Sequence, residues 1–369
     1  ISDNKRKPVD RNESDIAVIK LTGGTNDGRR RLVAKTHSNL IHAIQQMQDK
    51  EILCNNSEDV IILLPFDKLF AIEFLMSSLV GGSKTVIING TFDTNIGSYL
   101  DSIQSYKVSK LICFSSDVNL LIKNEVNLLY NMSSIKEILY IGVFDDYNNV
   151  RQSVENMFKC RYFRGVYGTT ESGVIACLRK TKSFQYNSYS SGQLISGTQL
   201  KIVDMKSGDT LPAHRIGEIC VKSKQLGHEY LSDTNNASKA NNMTNDGYFK
   251  TSDAGYYDSD GNVYIESNAS DIIYIEDQMF KPNELQLLLL SHPDVIDTTV
   301  IGIHCEDIDP DYDTVAADED QECPSNDQLN NTFKIFVVLK VGSETTDLDL
   351  INYINDRVEP IRQIDSGIF

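Results

Sequence analysis

The sequence predicts an α/β protein with a large sheet region, a smaller β-rich subdomain and a small α+β domain at its C-terminal end. Three observations carry this. Between residues 60 and 141, four continuous apolar runs of strand length alternate with amphipathic helical patterns, as in a mostly parallel sheet buried on both faces. Over 175–265 the texture changes to short alternating runs and turn signals. From about residue 270 a hairpin, a proline-led helix, two longer strands and a last helix follow within roughly 100 residues, the size of a compact domain.

Taken in order, residues 1–14 are polar and read as a loose segment. Ile16-Ala-Val-Ile-Lys-Leu21 reads as a strand; a turn rich in Gly, Thr and Arg follows, then a helix over 36–48 opened by a Thr36 cap. Strands are expected at 60–64, 85–88, 111–114 and 138–141, with helices at 68–80, 93–105, 116–127 and 148–158. The α/β part is bounded at 15–174 and the β-rich part at 175–269, with strands near 197–203 and 217–221. In the remainder, 270–369, Pro282 opens a helix, strands occupy 295–303 and 333–339, and a helix spans about 347–358.

Composition narrows the function. The chain has 369 residues, 40% of them apolar, enough for two or three cored domains. A net charge of −17 argues against a nucleic-acid or anionic-membrane surface, which needs a basic patch. Ten of those negatives fall in residues 306–327, which hold no Lys or Arg; the segment reads as a solvated loop or, alternatively, as an acidic metal or partner site. Seven scattered cysteines without a C-x-x-C pair fit a reducing compartment better than a disulfide framework. No run approaches the ~18 apolar residues of a membrane helix. Ile1 in place of Met reads as the start of a piece of a longer chain.

Three loops hold chemistry-bearing residues. Thr22-Gly-Gly-Thr-Asn-Asp-Gly-Arg-Arg-Arg31 follows a strand, and its glycines, hydroxyls and guanidinium groups either curl around an anion or form an exposed polar turn. Gly165-Val-Tyr-Gly-Thr-Thr-Glu-Ser-Gly173 strings an aromatic ring, hydroxyls and a carboxylate onto one short loop, a set suited to a planar base, a phosphate and a divalent cation. Thr251-Ser-Asp253 places a carboxylate at a strand end, where it either accepts the two hydroxyls of a ribose or caps a turn.

Together the loops, the run Asp246-Gly-Tyr-Phe-Lys-Thr-Ser-Asp-Ala-Gly255 and the segments Pro282-Asn-Glu-Leu285 and His292-Pro-Asp-Val295 resemble the adenylate-forming superfamily. The likeness is to acyl-CoA ligases of the 4-coumarate–CoA ligase and beetle-luciferase-like kind, and it covers nearly the whole chain. The resemblance implies activation of a carboxylic or fatty acid by ATP and Mg²⁺ to an acyl-adenylate, then transfer to coenzyme A, in a cytoplasmic or peroxisomal protein. It implies that Thr22, Gly23, Gly24, Thr25 and Arg31 contact phosphate, that Tyr167 packs on adenine beside Gly168 and Thr169, that Thr170 touches phosphate, that Glu171 helps hold Mg²⁺ and that Asp253 binds ribose.

Departures from the family pattern predict impaired catalysis. Its phosphate-loop Lys-Gly pair reads Arg31-Leu32 here, and a guanidinium does not replace a compact ammonium without rearrangement. Asn268 stands where the family has a nucleotide-contacting arginine, and Ser270 stands at the hinge. Asp277, next to Glu276, stands where the family's glycine admits the pantetheine arm, so coenzyme A should be repelled. Residues 362–369 end before the family's Gly-Lys catalytic motif. The alternatives are a working ligase in which other groups, Arg29 to Arg31 for example, have taken over, and a non-enzymatic nucleotide-binding or scaffold protein on the same fold. The acid pocket is expected to be apolar, walled by Phe66, Phe70, Ile141 and Phe144.

Overall fold

A computed structural model describes residues 12–22, 31–49, 56–62, 65, 70–123, 129–144, 147–158, 160–180, 189–227, 229–231, 242–275, 278–280, 282–303 and 332–358. They fall into two compact units, Ile1–Ile265 and Glu266–Phe369. Among the described residues the architecture is mixed α/β.

In the first unit β1 (Ile16–Leu21) turns back on β2 (Leu32–Thr36) as an antiparallel hairpin, with Lys20 opposite Val33 and Val18 opposite Lys35. The sequence reading missed β2, because Ala34, Lys35 and Thr36 lack the β-branched apolar run that marks a strand. Helix α1 (His37–Met47) follows directly. The Thr36 side chain accepts the Asn39 amide and the Asn39 side chain accepts the Thr36 amide, so two otherwise orphaned donors are satisfied reciprocally. Before the hairpin, the carbonyls of Glu13 and Asp15 take the amides of Ser38 and His37, tying this stretch to the start of α1.

Next come the alternating elements: β3 (Val60–Ile62), α2 (Ala71–Val80), β4 (Lys84–Val86), α3 (Ile96–Tyr106), β5 (Lys110–Phe114), α4 (Ser115–Lys123), β6 (Glu137–Ile141), α5 (Tyr147–Phe158) and β7 (Tyr162–Thr169). The five strands are parallel and lie in the order β4-β3-β5-β6-β7. β5 and β6 are buried on both faces, which is why their sequences are continuous apolar runs. One face packs Tyr99, Leu121, Val154 and Phe158 from the helices; the other packs Met47, Phe70 and Phe74. The sheet then continues antiparallel through β8 (Gly173–Cys177) and β9 (Gln193–Leu194). The expected boundary at 174/175 therefore falls inside β8. The change in texture there marks the switch from parallel to antiparallel pairing, where strands no longer need helical crossovers.

The β-rich part is a five-stranded antiparallel sheet of β10 (Thr198–Val203), β11 (Thr210–Leu211), β12 (Gly217–Ser223), β14 (Phe249–Tyr257) and β15 (Val263–Asn268), in the order β11-β10-β12-β14-β15. The intervening β13 (Glu229–Leu231) leaves this sheet and pairs with β2. In the second unit, β16 (Ile273–Ile275) and β17 (Gln278–Phe280) form the expected hairpin, and α6 (Pro282–Leu290) begins at its proline. β18 (Val295–Ile303) and β19 (Thr332–Leu339) pair antiparallel, with α6 and α7 (Asp347–Asn355) contributing Leu289, Leu350 and Ile354 to a common core. Residues 306–327 lie outside the described residues, as do 276, 277 and 362–369.

Candidate nucleotide site

In the strand order β4-β3-β5-β6-β7, the connection leaving β3 runs to β4 on one side and the connection leaving β5 runs the opposite way to β6, so the order reverses between β3 and β5. Open α/β sheets bind ligands outside the carboxyl ends of their strands near such a switch. A cavity of about 400 Å³ opens there, lined by Pro65, Phe92, Tyr99, Ile112, Phe114 and Leu120, with Asp93 and Asp117 among its polar residues. Phe114 pairs with Ile141, and Ile141 with Val166, so two strand spacings, about 10 Å, separate the cavity wall from the residue preceding Tyr167. The expected pocket walls do not converge on it. Phe70 and Ile141 share one core with Val166. Phe144 packs on the opposite face against Tyr140, at 4.7 Å between ring centroids, and Phe66 lies outside the described residues.

The stretch 165–173 is not a loop. Residues 165–169 complete β7, and 170–172 alone make the turn into β8, because the glycines allow close strand pairing while Thr169 and Ser172 supply the turn chemistry. Thr169 Nα donates to Ser172 Oγ and Ser172 Nα donates to Thr169 Oγ1. A Cβ added to Gly168 would stand 2.2 Å from the Gly173 carbonyl oxygen and 2.9 Å from Phe70 Cζ, so only glycine fits. Thr170 and Glu171 sit at the tip, both largely buried, and the Glu171 carbonyl accepts the Gly227 amide at 2.7 Å.

Tyr167 and Asp253, 86 residues apart, meet directly. The phenol donates to Asp253 Oδ2 at 2.7 Å and lies 3.3 Å from Thr251 Oγ1, which itself donates to the Ile219 carbonyl. Asp253 is brought there by an irregularity in β14. Opposite it on β12, the pairing shifts between Glu218 and Cys220, and Ser252 adopts φ +65°. Burial, reinforced by the charges of Glu171 and Glu218, raises the Asp253 carboxyl to about 6, against the Tyr167 hydrogen bond that lowers it. Burial and Asp253 push the Tyr167 phenol well above its usual range, so it remains the donor. The tyrosine ring belongs to a core with Ile175, Val221 and Phe249.

Thr22 and Arg31 close the neck of the first loop. Thr22 Nα donates to the Arg31 carbonyl at 2.8 Å, and Arg31 Nα donates to Thr22 Oγ1 at 2.9 Å. Thr22 is thus engaged in shaping the loop, while Gly23, Gly24 and Thr25 lie outside the described residues. Asn268 belongs to the second unit, exposed, with its amide 3.3 Å from Asp271 Oδ2. Among the described residues no group of three or more His, Cys, Asp or Glu could hold a metal by itself. Glu171 is a single, largely buried carboxylate at the turn; magnesium sites built on one or two carboxylates complete their coordination with substrate phosphates and water.

Sequence reasoning missed Gln225 and Gly227, which support the turn. Gln225 is fully buried; its Nε2 donates to the Val174 carbonyl while its Oε1 has no hydrogen-bond partner among the described residues. Both follow β12 in a stretch without a local signal. It missed equally the buried Lys20, Lys35 and Glu73, three charges carried by β1, β2 and α2.

Residues 2–231 match the AMP-binding enzyme family. The chain is 29% identical over 96% of its length to 4-coumarate–CoA ligase 4 of Arabidopsis thaliana, and 28% identical over 93% to 4-coumarate–CoA ligase 2 of Nicotiana tabacum. It spans 58% and 60% of those relatives' own lengths. Its fold is similar to that of ATP-bound MatB from Rhodopseudomonas palustris, with a TM-score of 0.76 at 18% identity, covering 98% of this chain and 65% of that one. It is also similar to the O-succinylbenzoate coenzyme A synthetase MenE from Bacillus subtilis in complex with AMP, with a TM-score of 0.73 at 21% identity, covering 97% and 66%.

Proposed function

The chain belongs to the AMP-binding enzyme family, and on that premise we propose that it binds ATP at the β7–β8 hairpin and activates a carboxylic acid to an acyl-adenylate, with weak turnover. The observation that carries this reading is the 2.7 Å contact between Tyr167 and Asp253, next to the Glu171 turn. It supports a site in which the tyrosine ring backs the base, Asp253 accepts ribose hydroxyls, and Thr170 and Glu171 meet phosphate and metal. Magnesium bound there would neutralise phosphate charge, and Glu171 would be the residue to hold it. The cavity near Phe114 supports an apolar acid whose carboxyl end reaches toward Val166.

Weak turnover is inferred from substitutions within the chain. Arg31-Leu32 replaces a compact ammonium and a glycine, and Asn268 replaces a charged side chain; removing one preorganised electrostatic group typically costs ~10²–10³ in rate. Glu276 and Asp277 together disfavour coenzyme A as the acyl acceptor. The test is ATP–pyrophosphate exchange with a panel of fatty and aromatic acids, run alongside ATP binding. Saturable ATP binding that is lost in Asp253→Ala, with little or no exchange, is the expected result. Exchange at the rate of an intact ligase would overturn the impairment, and no ATP binding at all would leave the scaffold reading.

A further inference from the structure

Beneath the hairpin that carries the first loop lies a charge cluster that the reading above does not use. Lys35 on β2 and Glu73 on α2 are fully buried, and Lys20 on β1 is nearly so. Lys20 Nζ stands 2.5 Å from Glu73 Oε2 and Lys35 Nζ 3.3 Å from Glu73 Oε1. Among the described residues two ammonium groups share the one carboxylate of Glu73, and the Glu171 carboxylate acts on Lys35 more weakly. Burial pushes the Lys35 ammonium below its usual range against the pull of Glu73 and, more weakly, Glu171. A cation whose burial is incompletely offset gains when a further anion arrives near it.

The cluster also lies close to the nucleotide turn. Gly227 is wedged between β2 and that turn: its amide donates to the Glu171 carbonyl, and a Cβ placed on it would meet Val33 Cγ1 at 2.6 Å and the Ala34 carbonyl oxygen at 3.3 Å. The residues immediately before Lys35 thus pack on the Glu171 turn with a single glycine between them.

We infer that Lys35, held by Glu73 and Lys20, is an electrostatic positioning residue: its charge offsets Glu171 and draws a polyphosphate chain to turn 170–172, lowering the site's dependence on a divalent cation. This rests on the nucleotide reading above. The test titrates the full chain with ATP, adenosine and inorganic tripolyphosphate, each with and without Mg²⁺. Lys35→Met removes the charge at similar length and leaves Lys20 and Glu73 as a neutral pair. It is expected to weaken ATP about tenfold without Mg²⁺, less with it, and to leave adenosine unchanged; Lys35→Arg restores ATP. Equal weakening of ATP and adenosine, or no change in either, makes the cluster a structural tie between hairpin and helix and overturns the inference. If Lys35→Met does not fold, Lys20→Met removes one charge from the cluster's edge and is read by the same ATP-to-adenosine ratio. Tripolyphosphate binding that depends on Lys35, without any adenosine binding, would sink the nucleotide reading while the cation assignment stands. Binding of neither ATP nor tripolyphosphate by the unsubstituted chain overturns both.

Discussion

Asp253 is held by a backbone that prefers another residue and in surroundings that prefer another charge. Ser252 at φ +65° occupies the left-handed region, which costs an L-residue about 1–2 kcal/mol and a glycine little. Ser252→Gly is therefore expected to stabilise the first unit by about 1 kcal/mol, read as a rise in Tm of about 2 °C by calorimetry. The carboxyl itself rises from 3.8 to about 6 in the folded protein, so the folded state binds the proton more tightly than the unfolded one. Stability is then lost as pH rises from about 3.8 to about 6 and stays lost above that. Asp253→Asn, which keeps an acceptor for Tyr167, should stabilise by about 2 kcal/mol at pH 7.5 and by almost nothing at pH 3.5, measured by urea midpoints. The same protonation removes a ribose acceptor, so ATP affinity is expected to fall as pH drops through about 6. Residue identities here were legible from the motif; the 2.7 Å partnership and the raised carboxyl were not, because they need β7 and β14 side by side.

At the scale of elements, the β7–β8 hairpin depends on glycine where two backbones nearly touch. Gly168→Ala sets a methyl 2.2 Å from a carbonyl oxygen, and backbone does not yield as a side-chain tip would. A loss of about 2–4 kcal/mol is expected, with ATP binding lost in parallel; a variant with unchanged urea midpoint would show that the hairpin is not held this closely. Strands 60–62, 110–114 and 137–141 were legible because burial on both faces leaves an uninterrupted apolar run. β2 was hidden because its buried face holds Lys35, whose partner Glu73 comes from a helix 38 residues on. Residues 165–169 of β7 read as a loop in part because their glycines, which signal turns locally, serve here to let strands and a ring approach.

Across the whole first unit, a second charge network ties the sheet together. Glu137, at the start of β6, receives the Arg164 guanidinium and lies 3.5 Å from Lys110 and 3.3 Å from Lys180; Lys110 in turn lies 3.6 Å from Asp59. Burial alone would raise the Glu137 carboxyl, but Arg164 and the two lysines lower it from 4.5 to about 2. Its contribution is present above pH 4.5 and is lost as pH falls toward 2, the opposite slope to Asp253. Glu137→Gln should cost about 3–5 kcal/mol at pH 7 by leaving Arg164 buried without its charge partner, and the penalty should shrink as the pH approaches 2; a constant penalty would mean a packing defect instead. The sequence by itself determined the alternation of strands and helices and the order hairpin, proline-led helix, strand, strand, helix after residue 270, because periodicity and turn signals are local properties of a chain. Which strands are parallel, where the sheet switches direction, which carboxylate meets which phenol and which lysines are buried in the β1–β2 hairpin were decided only in the tertiary structure. Burial and charge pairing act between residues tens of positions apart, and such pairings leave no mark on a linear reading.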